Sequence, residues 1–562
     1  MRSLLKSLRT MSFPQTISHR ELIQRTGAVY TPPVVVRSIL SHVRQLLPDR
    51  SIKILEPSVG DGAFLSKLGE FVENIQHVTA IDIDENAILQ LREHEFPFSS
   101  KINFVTEDFS AFAVENVSQS ECRFDLVVGN PPFIKKRNFS DSFKESLRNL
   151  SELSDYPNSK LKNAWAAFWV ASTVVLSRDG VLAFVLPYEL MTVSYGHDIL
   201  RQAQKEFERV DIFISRERAF RSIDQDAVVF IGQRKSKSEK GTFVNAVPNF
   251  VSLSNADTTR IRFDEGLHNS LELNSFLLDA ETLTLLRKIR DCCFKVGDYS
   301  GSAPGIVSGA NNFFIIEKEV ATLRGLEKYT LPILKKNNVP SNEIVLSADI
   351  FSDLSKNCPA YLLKITPEDV ASSSCLQDYV REGNDKGIHL GYKCRNREYW
   401  YKVPIVKREK AFLFKRSHNY PKLHLNEADV YLTDTAYGLR INEGYSARGL
   451  CYSFYNSLTL LFAETDGRFY GGGVLELSPT EFRGLPLVYN EPTDKEFREF
   501  LDVHKKAKGD IASILNFGDR WLRKTAGLNE REIRKIREAL YLVRAHRFRH
   551  SGHSQNLPSV QP

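Results

Sequence analysis

"SIKILEPSVGDGAFLSKL", residues 51–68, runs as a short apolar strand, turns through two glycines and continues as a helix. That change of hydrophobic period is the mark of a βα unit. The pattern repeats downstream. "HVTAIDID" (77–84), "INFVTEDF" (102–109), "FDLVVGNPPF" (124–133), "GVLAFVLP" (180–187), "VDIFI" (210–214) and "AVVFIGQR" (227–234) read as further strands. "NAWAAFWVASTVVL" (163–176) reads as a helix with Trp165, Phe168, Trp169, Ser172, Val175 and Leu176 on one side. Upstream, "TGAVYTPPVVVRSILSHVRQLL" (26–47) supplies another helix, with Thr31 as N-cap, Pro32 at the first helical position and Val35, Ile39, Val43 and Leu46 on one face. Unbroken apolar strands alternating with helices predict an α/β fold, a doubly wound, mostly parallel sheet covered on both faces.

Ligands of such sheets sit at the carboxyl ends of the strands. Glu56, Asp82, Asp108 and Asn130 fall there. Gly60 and Gly62 let the backbone after the first strand approach a ligand. The dinucleotide fingerprint G-x-G-x-x-G is absent, because position 65 is Leu, and no phosphate-cradling G-x-x-x-x-G-K-[ST] loop occurs. Asp82, at the end of the second strand, is placed to accept bonds from both hydroxyls of a ribose. "GNPPF" (129–133) ends its strand, because proline cannot donate to the ladder. The two prolines stiffen a loop that carries one amide, Asn130, and one ring, Phe133.

The 562 residues suit about two to four domains. A net charge of +6 is only mildly basic, so nucleic-acid binding must come from local patches. The seven cysteines form no CxxC pair or zinc spacing, which points to reduced thiols and a cytoplasmic protein, with no metal expected. No apolar run reaches membrane-spanning length. The basic start, "MRSLLKSLRTMSFPQ", reads as a ragged beginning before Met11 and not as a transit peptide.

"RKSKSEKG" (234–241) is a charged linker and the first boundary candidate. The expected division is a catalytic domain over 20–240, a connecting segment over 241–290, a mixed, β-rich second domain over 291–490 and a helical tail over 491–562. In the tail, Asn529 and Glu532 are spaced as a capping box, with Ile533, Ile536, Leu540 and Val543 at helical spacing behind them.

Together these motifs resemble the S-adenosylmethionine-dependent DNA amino-methyltransferases, in particular the gamma-class adenine-N6 enzymes of restriction–modification systems in bacteria and archaea. "GAVYTPP" (27–33) looks like that family's N-terminal cofactor motif and "ILEPSVGDGAFL" (54–65) like its cofactor loop. "AIDID" (80–84) and "EDF" (107–109) look like its ribose-side and adenine-side acid motifs, and "GNPPF" like its catalytic loop. The resemblance covers about residues 25–235 and implies a class I, Rossmann-like methyltransferase domain.

It also implies roles. Asn130, Pro131, Pro132 and Phe133 would be catalytic, with Phe133 and Phe220 stacking on a flipped target base. Thr31, Glu56, Ser58, Gly60, Gly62, Asp82, Ile83, Asp108, Phe109, Pro132 and Phe168 would line the S-adenosylmethionine site. Two features depart from or narrow the pattern. Phe133 stands where Tyr is commoner, which keeps stacking and loses a hydroxyl. Asn at position 130, in place of Ser or Asp, favours adenine over cytosine N4. No Pro-Cys dipeptide exists for cysteine-based C5 chemistry.

Residues 393–416, "KCRNREYWYKVPIVKREKAFLFKR", hold nine Lys or Arg, two Glu and five aromatics, a mixture suited to phosphate and base contacts. Arg395, Arg397, Lys402, Lys407, Lys415 and Arg416 are the candidate DNA contacts. "GIVSGANNFFII" (305–316) and "YLTDTAYGLR" (431–440) resemble segments of target-recognition domains in large adenine methyltransferases. The expectation is a monomeric modification enzyme for double-stranded DNA. No PD…(D/E)xK pattern is found at either end, so cleavage is assigned to a separate endonuclease. The rival readings are an RNA or protein-glutamine methyltransferase, whose substrate presents the same NH2 chemistry, and a non-catalytic DNA-binding subunit.

Overall fold

The apolar runs of the N-terminal half pair into one nine-stranded sheet: β1 (Ile52–Glu56), β2 (Ile75–Asp82), β3 (Ile102–Thr106), β4 (Phe124–Gly129), β5 (Leu176–Pro187), β6 (Arg209–Ser215), β7 (Ala227–Gln233), β8 (Gly241–Val247) and β9 (Thr259–Phe263). The spatial order is β3-β2-β1-β4-β5-β7-β6-β8-β9. Strands β7 and β9 run antiparallel to their neighbours and the rest are parallel. This is a doubly wound, mostly parallel sheet, as the alternation of strands and helices predicts. The computed structural model describes residues 31–117, 123–215, 227–253, 259–263, 277–470 and 473–548.

Helices α1 (Pro33–Arg44), α2 (Leu65–Phe71), α3 (Glu85–Arg92), α4 (Phe109–Asn116), α5 (Asp141–Ser154), α6 (Ala164–Val175), α7 (Glu189–Thr192) and α8 (Ser194–Glu206) connect the strands. Val35, Val36, Ile39 and Val43 of α1 join Leu65 and Leu68 of α2 and the sheet residues Ile54, Val78, Leu126 and Val128 in one core. Every residue of β4 is buried. Asp125 within it is held by Arg50, whose Nη2 lies 2.7 Å from Oδ1. That pairing answers the cost of burying a charge in a strand.

Three local expectations change. Pro32, not Thr31, is the N-cap residue of α1, and the helix starts at Pro33. Helix α6 ends at Val175, is buried on every side, and hands Leu176 to β5. The charged stretch 234–241 is not a domain boundary. Arg234 reaches back to the carbonyls of Thr173 and Leu176, and Gly241 opens β8, which pairs in parallel with β6 over seven residues. Residues 241–247 and 259–263 therefore extend the first sheet instead of linking domains, because the free edge of β6 is a template for another strand. The chain divides into units at 276/277.

The second unit is mixed. Ser300–Pro304, Ala436–Ile441, Ala411–Phe414, Leu423–Asn426 and Val345–Leu346 form a five-stranded sheet, in that order, and two smaller sheets accompany it. The C-terminal helices Asp494–Ala507, Ile511–Ala526 and Glu530–Phe548 belong to this unit. Asn529 and Glu532 exchange the two bonds of a capping box, at 2.8 and 3.0 Å. The last helix is anchored through Arg547, which pairs with Glu464, both only 1% exposed, and through Arg544, which donates to Asn419. Among the described residues no helix is long and apolar enough to cross a membrane, and no cluster of three or more metal-ligating side chains occurs.

Candidate active site

Four strand ends bring the candidate residues together. The turn after β1 is built on backbone that only glycine adopts without strain. Gly60 has φ +51° and Gly62 φ +76°, and a Cβ on Gly62 would meet Leu91 Cδ2 at 2.6 Å. A Cβ on Gly60 would meet nothing within 4 Å, so the space before the turn is open. The turn is tied to β2: the Gly60 N–H donates to Asp82 Oδ2 at 2.8 Å and the Asp84 N–H to Asp82 Oδ1 at 3.0 Å. A carboxylate has about four acceptor sites, so Asp82 keeps capacity for further donors. Ile83 beside it is 73% exposed.

Glu56 ends β1 and is 1% exposed, and its Oε2 has no hydrogen-bond partner. Burial, with the charges of Asp61 and Asp82, holds its carboxyl well above the usual carboxylate range, against the lowering effect of the Leu65 and Phe64 amides. Burial also raises Asp61. Three acids thus converge on one turn, and Asp61 is a member that sequence reasoning did not single out.

At the end of β3, Asp108 caps α4. Its Oδ1 accepts the Ser110 and Ala111 amides and the Ser110 hydroxyl. Phe109 is fully buried and packs on Phe168 of α6, ring centroids 5.3 Å apart. Both are buried core residues.

Asn130 follows β4. Its Nδ2 donates to Thr31 Oγ1 at 3.0 Å, and its backbone carbonyl accepts the Ser58 hydroxyl at 3.1 Å. The three segments from the start of α1, the β1 turn and the β4 end therefore meet at one amide. Pro131 is buried and Pro132 and Phe133 are half-buried. Phe220 lies outside the described residues.

Beyond Phe133 the loop is held by backbone. Ala164 N donates to Ile134 O at 2.8 Å, Lys136 N to Lys162 O at 2.9 Å, and Lys135 bridges Asn163. Asn163, Glu189 and Tyr195 form a polar cluster there that the sequence reading missed. An Asn directly before an apolar helix reads as an N-cap, but the Asn163 side chain makes no capping bond.

In the second unit the basic run 393–416 is not one continuous face. Ala411–Phe414 is a buried strand that takes Phe412 and Phe414 into the core, Trp400 is half-buried and packs on Phe313 at 5.7 Å, and Tyr399 is exposed. Arg397 is engaged inside the unit, donating to Val307 O at 2.8 Å and Trp400 O at 3.3 Å. Arg416 pairs with Glu476 at 2.5 Å, and Lys415 lies over the Tyr437 ring at 5.1 Å. Arg395, Lys402 and Lys407 are exposed. Lys407, Arg408 and Arg440 line a groove with Pro304, Gly305 and Tyr431.

Residues 51–220 match the family model described as Eco57I restriction-modification methylase, and residues 272–522 match that of the Type II methyltransferase M.Eco57I C-terminal domain. Type II methyltransferase M.XamI of Xanthomonas campestris pv. amaranthicola is 22% identical over 476 residues, 82% of this chain and 85% of that one. M.HincII of Haemophilus influenzae is 24% identical over 206 residues, and the match spans 36% of each chain. Among solved structures, the DrdV–DNA complex aligns with TM-score 0.47 and 13% identity over 86% of this chain and 58% of that one.

Proposed function

We propose, for a chain that belongs to the Eco57I restriction–modification methylases, that it transfers a methyl group from S-adenosylmethionine to the N6 amine of an adenine flipped out of double-stranded DNA. The observation that carries this reading is the tether of Asn130 to Thr31 and Ser58, beside the Gly60 turn. It sets a rigid pair of acceptors, the Asn130 side-chain oxygen and the Pro131 carbonyl, next to a turn suited to a cofactor.

The N6 lone pair of adenine is delocalised into its ring, so the amine is a poor nucleophile. Two acceptors on its hydrogens draw the nitrogen toward tetrahedral geometry and stabilise the positive charge that develops on attack. Pro131 and Pro132 hold these acceptors before substrate arrives, and placement accounts for most of the rate. Flipping the base costs a few kcal/mol or so. Stacking on Phe133, and on Phe220 if it forms the second wall, offsets about 1–3 kcal/mol per ring.

The residues present fit the cofactor. A buried carboxylate with one unpartnered oxygen, flanked by Asp61 and Asp82, suits a cationic amino-acid moiety. In this reading Thr31, Glu56 and Ser58 hold the amino-acid end, Asp82 the ribose, and Asp108, Phe109 and Phe168 the adenine side, with Pro132 at the methyl. When bound, the cofactor supplies an already activated sulfonium methyl, so this chain needs no nucleophile of its own. The second unit supplies target recognition through exposed Arg395, Lys402 and Lys407, and cleavage belongs to a separate endonuclease.

The test is transfer of labelled methyl from S-adenosylmethionine to unmethylated genomic DNA, in parallel with RNA and protein, followed by nucleoside analysis. Label in N6-methyladenine supports the proposal. Label confined to RNA or to glutamine overturns it.

A further inference from the structure

We infer that Glu189 is a positioning residue for the catalytic loop, acting through Asn163; the inference rests on the methyl-transfer reading of that loop. Glu189 begins α7, two residues beyond the end of β5, and so stands at the strand end next to β4. Its Oε2 accepts the Tyr195 hydroxyl at 2.6 Å and Asn163 Nδ2 at 3.5 Å. Asn163 is 1% exposed, and its backbone is the bridge partner of Lys135, two residues after Phe133. Tyr195 is braced by the Trp165 ring, centroids 5.7 Å apart. A continuous path therefore runs from Tyr195 through Glu189 and Asn163 to the backbone of 134–136.

The cluster is built where the loop has least other support. Phe133 is followed by only two residues, Ile134 and Lys135, before a short helical turn at Lys136–Asn138. The prolines fix the loop on its β4 side. The backbone bridge to 162–164 fixes it on the other side, and Asn163, at the centre of that bridge, is tied by its side-chain amide to Glu189. A buried asparagine whose amide is not gathered by a partner costs free energy and permits other rotamers. Burial and the facing Glu189 carboxylate raise the Tyr195 hydroxyl pKa, so Tyr195 stays a donor at every working pH. Glu189 contributes by fixing the place of Phe133 and the two amide acceptors, and touches no reacting atom.

The experiment uses the full chain with Glu189→Ala, Glu189→Gln and Tyr195→Phe. Amide hydrogen exchange of peptides covering 131–137 and 162–165 reads the anchor directly. Single-turnover transfer to DNA and cofactor affinity read its consequence. Glu189→Ala is expected to speed exchange at Lys136 and Ala164 and to slow the transfer step about 10- to 100-fold, the scale of a misplacement near 1 Å, with cofactor affinity within about twofold. A glutamine oxygen can accept both bonds, so Glu189→Gln should return both readouts to within about threefold of wild type. Unchanged exchange in Glu189→Ala overturns the inference. So does a slow Glu189→Gln whose exchange is normal, which would mark the charge itself as acting on substrate. If wild-type chain methylates no DNA, the functional proposal falls, and exchange alone still decides the anchor.

Discussion

Thr31 and Asn130 lie 99 residues apart and share a hydrogen bond of 3.0 Å, from the amide Nδ2 to the hydroxyl Oγ1. The bond decides which end of the Asn130 amide is the donor. It turns the carbonyl end away from Thr31 and ties the segment leading into α1 to the loop after β4. Thr31→Val removes the acceptor at nearly constant volume. Transfer should fall about 10- to 100-fold, in line with loss of a positioned group, and Thr31→Ser should retain most activity. Single-turnover kinetics at saturating cofactor separates this from weakened cofactor binding.

Asn130→Ala should lower transfer by at least about 10²–10³-fold, the usual consequence of deleting one charge-stabilising group. Cofactor affinity, measured by calorimetry, should persist. Wild-type turnover in this variant would remove Asn130 from its role.

Glu56 gives the protein a pH signature. Its folded-state pKa is raised by burial above that of the unfolded chain. Between the ordinary carboxylate range and the raised value the native state holds a proton that the unfolded state has released. Stability therefore falls as pH rises through that window, by up to about 1.4 kcal/mol per pH unit. Glu56→Gln should remove this slope, and denaturant melts of ligand-free protein across the window would measure it. An unchanged slope would assign it to other groups.

The ion pair of Arg547 and Glu464 is buried on both sides. Arg547→Met removes the close partner of the Glu464 carboxylate, leaving it Arg544 Nη1 at 3.9 Å, and should destabilise the second unit by about 3–5 kcal/mol. The double variant with Glu464→Gln should recover much of the loss. Thermal unfolding of Arg547→Met, Glu464→Gln and the double variant would establish the coupling.

Lys402 and Lys407 are exposed, whereas Arg397 is bonded to carbonyls inside the unit. Lys402→Ala and Lys407→Ala should each weaken DNA binding about equally for all sequences and reduce the log–log salt slope by about one. Arg397→Ala should instead lower stability. A full salt slope in both lysine variants would move the interface elsewhere, with the groove beside Arg408 and Arg440 the next surface to probe.

Much of the first unit was legible from its chain. Strand and helix alternation, the glycine turn and the Asn-Pro-Pro stop depend on local rules of period, positive φ and missing N–H groups. Those rules act within a few residues, so the strands Ile52–Glu56, Ile75–Asp82, Ile102–Thr106 and Phe124–Gly129 form close to where they were read. The boundary at 234–241 was misread because a run of charge looks the same in a linker and in a connection that carries the chain from β7 past β6 to β8 within one sheet. The aromatics of 393–416 were misread because composition does not say which side of a strand faces the core.

The types of residue at the strand ends, and hence the chemistry on offer, are written in Glu56, Asp82, Asp108, Asn130 and Phe133. Which of them meet is decided by the closed sheet. Thr31 leaves its expected cap for Asn130, Asp61 joins two other acids, and Asn163 turns from its helix to Glu189. The two hydrogen bonds join residues 99 and 26 positions apart, and the charges that meet at Glu56 come from 5 and 26 positions away. The longest of them carry no local signal, because closing a long loop is worth its entropy only once the strands between have paired.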